Sequence, residues 1–426
     1  MAKTKIIATV GPTCEDKKTI EELILAGVSV FRFNCKHNRL DWHEIRMKRV
    51  NEVAQKLGVP IGLMMDLQGP ELRIGKLKGG SLKLEKGQTV TFGPKAKIVF
   101  SSNAVIRELR KGQRILLDDG RIELRVIVVK EALVETKVIV GGRLYSNKGV
   151  NLPESEIDLP TLADRDFRAL LLAKKHGVDF IALSFVREKE DVLNLKRALE
   201  KEKIEALTIA KIENRSAIEN LEEILLKADA IMVARGDLGV ELPMEEIPFW
   251  QKYIIERCLK LSKPVITATE MLSSMINDAR PTRAEVSDIG NSVYDRSDAL
   301  LLSTETAIGQ YPVKAVEVMK KTCKFIELKL RPLGRNFPAY EQTAAVVLAA
   351  FNLVRESDLP QPPSAFVVLT ENGKTARLLS SLRPNLPILS ITPKKNIRDQ
   401  LCLSFGVESF YFNYKRKARG QLATPT

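Results

Sequence analysis

The sequence predicts an α/β chain built on a (β/α)8 barrel, with a small β-rich module inserted after the third strand and an α/β region at the C-terminal end. Three observations point there. Eight short apolar runs alternate with segments of helical periodicity. The alternation breaks once, between about residues 75 and 159, where short β-rich pieces alternate with Gly, Lys and Asp turns. All eight runs end in polar or charged residues. A doubly wound open sheet is the main competitor at this length, but it would leave its outermost strand ends far apart, whereas a barrel gathers all eight at one mouth.

In chain order, residues 5–10 (KIIATV) form an apolar run that stops at Gly11-Pro12, and 17–25 then carry apolar residues at helical spacing. The unit repeats as 28–33 with 42–57, and a third begins at 61–65 without its helix. The inserted pieces are 88–92, 114–117, 123–129 and 134–140. Helical spacing returns at 161–175, and strands are expected at 180–184, 208–211, 230–233, 264–268 and 299–302, each followed by a helical segment. Beyond them lie a helical run at 343–354, a strand at 366–369 and a Gly-containing turn leading into a helix at about Thr375. The expected division is 1–74 with 160–332 for the barrel, 75–159 for the insert and 333–426 for the C-terminal domain.

A chain of 426 residues exceeds what one hydrophobic core usually holds, so several domains are expected. There is no apolar run long enough to span a bilayer, and residues 1–12 read as a short strand rather than a secretory leader, so no membrane association and a cytoplasmic location are expected. The net charge of +14 attracts anions without naming one. It is scattered rather than gathered into a stripe with interleaved aromatics, so no nucleic-acid partner is expected. Cys14, Cys35, Cys258, Cys323 and Cys402 are far apart in sequence and are expected to be reduced, buried thiols.

At the C-terminal ends of the eight runs stand Thr9; Arg32 and Asn34; Asp66; Ser184; Lys211 and Glu213; Arg235 and Asp237; Thr267 and Thr269; and Ser303 and Glu305. Strand alternation puts Lys211 and Glu213 of the stretch 208–214 (TIAKIEN) on one face. Taken alone, a solvated ion pair would account for them. Converged at a barrel mouth, Arg32, Arg73, Lys211 and Arg235 supply positive charge, and Glu213 and Asp237 supply hard oxygen ligands. That inventory suits Mg2+ held by one or two carboxylates together with phosphate oxygens, and phosphoryl transfer by charge neutralisation. No Walker loop or kinase-type GxGxxG is present. Of the three histidines, His43 and His176 lie in charged, helix-like surroundings and read as surface residues, and His37 is expected to orient neighbours rather than move protons.

Five strings then carry a resemblance: 208–218 (TIAKIENRSAI), 231–240 (IMVARGDLGV), 263–272 (KPVITATEML), 280–285 (RPTRAE) and 303–307 (STETA). Others flank them: 5–12 (KIIATVGP), 32–37 (RFNCKH), 66–73 (DLQGPELR), 117–120 (LDDG) and 148–153 (KGVNLP). Together, in order and down to about residue 407, they resemble the pyruvate kinase family. The resemblance implies a barrel domain, a β-rich lid and a C-terminal α/β domain that ends sooner than in most members, with 415–419 (KRKAR) a solvated charged stretch. It implies transfer of the phosphoryl group of phosphoenolpyruvate to ADP, giving pyruvate and ATP in glycolysis. Another Mg2+-dependent phosphoenolpyruvate or pyruvate barrel enzyme, lyase or mutase-like, is the alternative, and a non-catalytic relative a third.

By matching motifs, Lys211 would stabilise the phosphoryl group, Arg32 would grip its oxygens and Arg73 would support that cluster. Glu213 and Asp237 would hold Mg2+, with Mn2+ as the substitute ion. The substrate carboxylate would sit on backbone N–H groups of Ala234, Arg235, Gly236 and Asp237 beside Thr269. Thr269 and Ser303, with Glu305 behind them, would serve proton delivery. Thr9, Pro12 and Lys148 would contact ADP. Lys36, Leu67 and Gln68 depart from the Ser, Thr and Lys of most members, at a site where Asn34 and Asp66 would help hold potassium. The expectation is that the Lys36 ammonium replaces that ion and that potassium is not required. Thr370, Asn372, Gly373, Lys374 and Thr375 resemble the family's loop for a phosphorylated effector, and a homotetramer is the implied assembly.

Overall fold

In the computed structural model, which describes residues 2–102, 105–155, 159–333, 342–356, 363–413, 416–417 and 421–422, eight parallel strands close into a barrel. Strands β1 (Lys5–Thr9), β2 (Val30–Asn34) and β3 (Gly62–Asp66) come first. The chain then leaves the barrel for β4 (Ser81–Leu84), β5 (Thr89–Phe92), β6 (Arg114–Leu117), β7 (Ile122–Lys130), β8 (Leu133–Val140), β9 (Gly142–Tyr145) and β10 (Val150–Asn151). It returns for β11 (Phe180–Leu183), β12 (Leu207–Ile212), β13 (Ala230–Ala234), β14 (Val265–Ala268) and β15 (Ala299–Leu302). The order around the barrel is β1-β15-β14-β13-β12-β11-β3-β2.

Parallel strands covered on both faces read as continuous apolar runs, which is why β13 (AIMVA) and β15 (ALLL) are buried along their whole length. Ile7, Met64, Phe180, Ile209, Met232 and Leu301 fill the barrel interior, and a second apolar layer lies between strands and surrounding helices. The helices are punctuated by local chemistry. Asp16 accepts from the Lys18 and Thr19 N–H groups at the start of Lys17–Ala26, and Thr282 with Glu285 forms a reciprocal cap on Arg283–Tyr294. At the closing seam β1 pairs with β15, Lys5 opposite Ala299 and Ala8 opposite Leu302. Only glycine fits at position 11, because a Cβ there would collide with the Ala307 backbone.

The insert has a core of its own, in which Phe92 stacks on Phe100 with ring centroids 4.7 Å apart beneath the sheet β10-β6-β7-β8-β5. The C-terminal part is a parallel sheet of β16 (Phe366–Leu369), β17 (Ile388–Thr392) and β18 (Val407–Tyr411), flanked by helices Gln342–Glu356, Lys374–Ser381 and Lys395–Gln400. Of the charged stretch 415–419, residues 415, 418 and 419 lie outside the described residues. All five cysteines are free and buried, and among the described residues no helix is long and apolar enough to cross a membrane.

Two features differ from expectation. His43 is buried rather than on the surface. With Met47 and Val50 it forms an i, i+4, i+7 inner face of helix Leu40–Leu57, hydrogen-bonds the His37 carbonyl at 2.9 Å and meets Trp42 edge-on. Arg383, which no sequence pattern marks, is also fully buried. Its guanidinium makes a bidentate pair with Asp298 (2.7 and 3.1 Å) and lies over the Phe405 ring. Asp298, just before β15, also accepts from the Val265 and Phe405 N–H groups, so this pair joins the C-terminal sheet to the base of the barrel. Arg383→Leu strands the buried Asp298 carboxylate and is expected to cost about 3–5 kcal/mol in urea unfolding. Adding Asp298→Asn, which removes the stranded charge, is expected to recover part of that loss.

Candidate active site

Four neighbouring strands, β2, β3, β11 and β12, bring one charged cluster to the barrel rim. At its centre is Asp66, the last residue of β3 and 1% exposed. One carboxylate oxygen accepts from Arg32 Nε and Nη2 at 2.7 and 2.6 Å. The other faces Lys211 Nζ and Ser184 Oγ, each at 3.3 Å. Lys211 also donates to Ser184 Oγ at 2.8 Å and to Glu213 Oε1 at 2.7 Å. Alternation along β12 does what the sequence led one to expect, since Lys211 and Glu213 share a face and touch. The second Glu213 oxygen accepts from the Phe185 N–H at 2.7 Å, and Phe185 holds a left-handed backbone (φ 57°) that is uncommon for a residue with a side chain.

Electrostatics follow from this geometry. Burial disfavours the Lys211 charge, but the carboxylates of Asp66, Glu213 and Asp237 outweigh it and hold the ammonium above its ordinary pKa. Burial likewise opposes the Asp66 charge, and Lys211 and Arg32 overcome it, leaving that carboxylate below its usual range. Glu213 goes the other way. Burial, reinforced by the like charge of Asp237, pushes it up to about 7 against the pull of Lys211. Asp237 lines the cleft and makes no side-chain hydrogen bond or ion pair among the described residues. A free carboxylate beside one whose ionisation is opposed by a like charge is a donor set that a hard divalent cation would neutralise.

The remaining expected residues divide into those at the rim and those set back from it. Arg32 Nη1 reaches Thr9 Oγ1 at 3.0 Å and Ser303 Oγ at 3.4 Å. Thr9 is buried and donates to the Leu302 carbonyl, so its hydroxyl steadies Arg32 across the seam. Ser303 N–H donates to Glu305, whose other oxygen takes the Leu272 N–H. Thr269, with φ 71°, accepts from the Gly236 N–H at 2.7 Å and donates to the Ala268 carbonyl. Gly236 and Asp237 open helix Arg235–Glu241, directly after Ala234 ends β13. Pro12 begins a single 3-10 turn, Pro12–Cys14, and Lys148 pairs with Asp118 at 2.7 Å in the insert.

Arg235, Arg73 and Lys36 depart from expectation. Arg235 offers no free charge to the mouth, because Asp288 takes its guanidinium bidentately (both 2.7 Å) and the Thr269 carbonyl takes a further N–H. Arg73 does not touch the Asp66 cluster. It clamps Glu71 and the Asn147 carbonyl at the root of the insert. The Lys36 ammonium goes to Glu71 at 3.0 Å, not to Asn34 and Asp66. Asn34 Oδ1 takes the Lys36 backbone N–H, and Asp66 is filled by Arg32 and Lys211. In the loop at 370–375, Thr370 Oγ1 accepts from Gly373 N–H and Asn372 Oδ1 from Lys374 N–H, with Gly373 left-handed and Thr375 inside the following helix.

Phe185 and Glu71 join the site without having been singled out, and Ser184 joins it having been marked only as a strand end. Nothing in the sequence signals the backbone of Phe185 or the double pairing of Glu71. Between insert and barrel lies a cleft of about 510 Å³, walled by Lys36, Glu71, Asp119, Asn151, Phe185 and Asp237.

The family described as "Pyruvate kinase, barrel domain" matches residues 1–316, and that described as "Pyruvate kinase, alpha/beta domain" matches residues 345–424. A pyruvate kinase of Staphylococcus epidermidis is 40% identical over 417 residues, spanning 96% of this chain and 71% of the relative. One from Thermococcus litoralis is 40% identical over 419 residues, spanning 96% and 88%. A crystal structure of a pyruvate kinase from Cryptosporidium parvum superposes with a TM-score of 0.93 at 33% identity, covering 97% of this chain and 87% of that one. With a closed eight-stranded barrel, a β-rich insert after its third strand and both family regions matched in order, the chain belongs to the pyruvate kinase family.

Proposed function

We infer that the protein transfers the phosphoryl group of phosphoenolpyruvate to ADP, consuming one proton and giving pyruvate and ATP. The observation that carries this reading, beside family membership, is the Lys211 ammonium. It is fixed by Asp66, Ser184 and Glu213 at a rim that also holds Arg32 and an unpaired Asp237. In this reading Lys211 and Arg32 neutralise charge on the phosphoryl oxygens as they pass from donor to acceptor. Glu213 and Asp237 would hold Mg2+, or Mn2+ in its place, and the bound ion would supply further charge neutralisation.

The substrate carboxylate lies along the backbone at Ala234 to Asp237, where Gly236 lets it approach and Thr269 fixes the loop. Thr269 and Ser303 form the hydroxyl route for the proton to the enolate carbon, and Glu305 positions Ser303 through its N–H. Pro12 and Lys148 flank ADP, and Thr9 contributes by holding Arg32. The same reading includes a homotetramer in the cytoplasm, serving glycolysis, with a phosphorylated effector at Thr370, Asn372, Gly373, Lys374 and Thr375.

Potassium is not required in this proposal. Lys36, locked on Glu71, is a fixed positive charge at the edge of the cleft, and Asp66 already has two cationic partners. Activity in tetramethylammonium buffer is expected to match that in potassium buffer within about twofold, and Lys36→Ser is expected to create potassium activation. A large activation of the wild type by potassium overturns this part. For the reaction itself, pyruvate formation from ADP and phosphoenolpyruvate is the direct assay. Lys211→Met, which leaves the Arg32–Asp66 pair in place, is expected to lower kcat by roughly 10²–10³-fold, and to lower the melting temperature as well because it strands the buried Glu213 carboxylate. A wild-type protein that makes no pyruvate from these substrates overturns the assignment.

A further inference from the structure

The insert meets the barrel at a place the phosphoryl chemistry does not use. Asn151, on β10, donates from Nδ2 to Glu241 Oε1 at 2.8 Å. Glu241 closes helix Arg235–Glu241 and makes no other side-chain hydrogen bond among the described residues. One residue earlier, Val240 faces Gly120 of the insert, and a side-chain Cβ at position 120 would meet it at 3.4 Å, an ordinary van der Waals contact. Two adjacent residues of one short helix thus face two segments of the insert, one of them through a hydrogen bond.

Those segments are the ones that carry the insert's polar groups. Asn151 lies three residues after Lys148, and β10 pairs with β6, Val150 opposite Leu117 and Asn151 opposite Leu116. Strand β6 runs into Asp118, Asp119 and the left-handed Gly120, and Asp118 pairs with Lys148. On the barrel side, Asp237 and Glu241 are four residues apart on one helix, so they share a face, and both line the same cleft. A helix of seven residues moves as a unit, so whatever fixes Glu241 also fixes the direction in which Asp237 is presented.

Glu241 is 9% exposed, and burial raises its pKa. Around it stand Arg215 from helix Arg215–Glu219, which opposes that shift, and Glu154 and Arg114 from the insert, which act in opposite senses. A carboxyl buried this far is costly without a donor, so the Asn151 amide is the contact that keeps it facing the insert.

We propose that Asn151 and Glu241 are positioning residues whose hydrogen bond couples the insert segment bearing Lys148 to the helix bearing Asp237, so that the insert and the metal-side carboxylate are set together when nucleotide binds. The proposal rests on the reading of Lys148 and Asp237 given above. It concerns how two halves of the cleft are held in register, and neither residue touches the transferred group.

The experiment uses the full chain and a donor–acceptor exchange. Asn151→Ala is expected to raise KM for ADP by about tenfold, with KM for phosphoenolpyruvate unchanged. The protection of the insert against trypsin by ADP is expected to fall in parallel. Asn151→Asp, which sets two carboxylates face to face, is expected to be worse than Asn151→Ala. Asn151→Asp combined with Glu241→Gln restores the bond with donor and acceptor interchanged, and is expected to bring KM for ADP to within about threefold of wild type. An unchanged KM for ADP and unchanged trypsin protection in Asn151→Ala, or an exchange variant no better than Asn151→Asp, overturns the proposal. Wild-type pyruvate formation in the same assay tests the family reading separately, because coupling can fail while turnover persists.

Discussion

The buried carboxylate of Asp66 is the constraint on which the rim depends. A lone ionised carboxyl at that depth would be intolerable, and a lone Lys211 or Arg32 nearly as costly. Each is sustainable only because the others are present: Arg32 closes on one Asp66 oxygen, and Lys211 bridges the other to Glu213. Because the three come from β2, β3 and β12, their pairing is also a condition on barrel geometry. A strand slipped by two residues keeps the same faces buried but breaks the ion cluster, so the charges select one register among those that hydrophobic burial alone would accept.

Around this cluster the molecule arranges three kinds of support. The closing seam supplies Thr9 and Ser303, which meet Arg32 from β1 and from the end of β15. Helix Arg235–Glu241 presents Gly236 and Asp237, with the Arg235 guanidinium turned away into Asp288. The insert stands over the cleft on Glu71, which holds Lys36 of the barrel rim with one oxygen and Arg73 at its root with the other. The positive charge at the mouth is thereby partitioned. Lys211 and Arg32 face the cluster, whereas Arg73 and Arg235 are spent on architecture.

How much of this the sequence disclosed depends on which physical signal was in play. The eight barrel strands were legible because a parallel strand covered on both faces must be apolar throughout, and the rim was legible because polarity resumes where that covering stops. The pair Lys211 and Glu213 followed from period two alone. Long-range pairing left no comparable trace. Nothing near Arg383 in sequence says that Asp298 awaits it, and nothing near Lys36 distinguishes Glu71 from Asp66 as its partner. His43 shows a third case, in which its periodicity with Met47 and Val50 was present but the charged residues between them hid an inner face. Sequence reading thus recovered what local burial dictates and missed what depends on which distant side chain arrives first.

The seam between β1 and β15 has a consequence for how the chain comes into being. Thr9 bonds to Thr306, and Gly11 fits against Ala307, across nearly three hundred residues of sequence. During synthesis the first strand therefore has no edge to close on until more than two thirds of the polypeptide has emerged, and Arg32 lacks its Ser303 contact until then. A ribosome-bound fragment that ends before β15 would expose two unpaired barrel edges of apolar sequence. Unpaired edges of that kind are prone to aggregation, and completion of the last strand, not of any early one, marks the moment at which the reactive rim can exist.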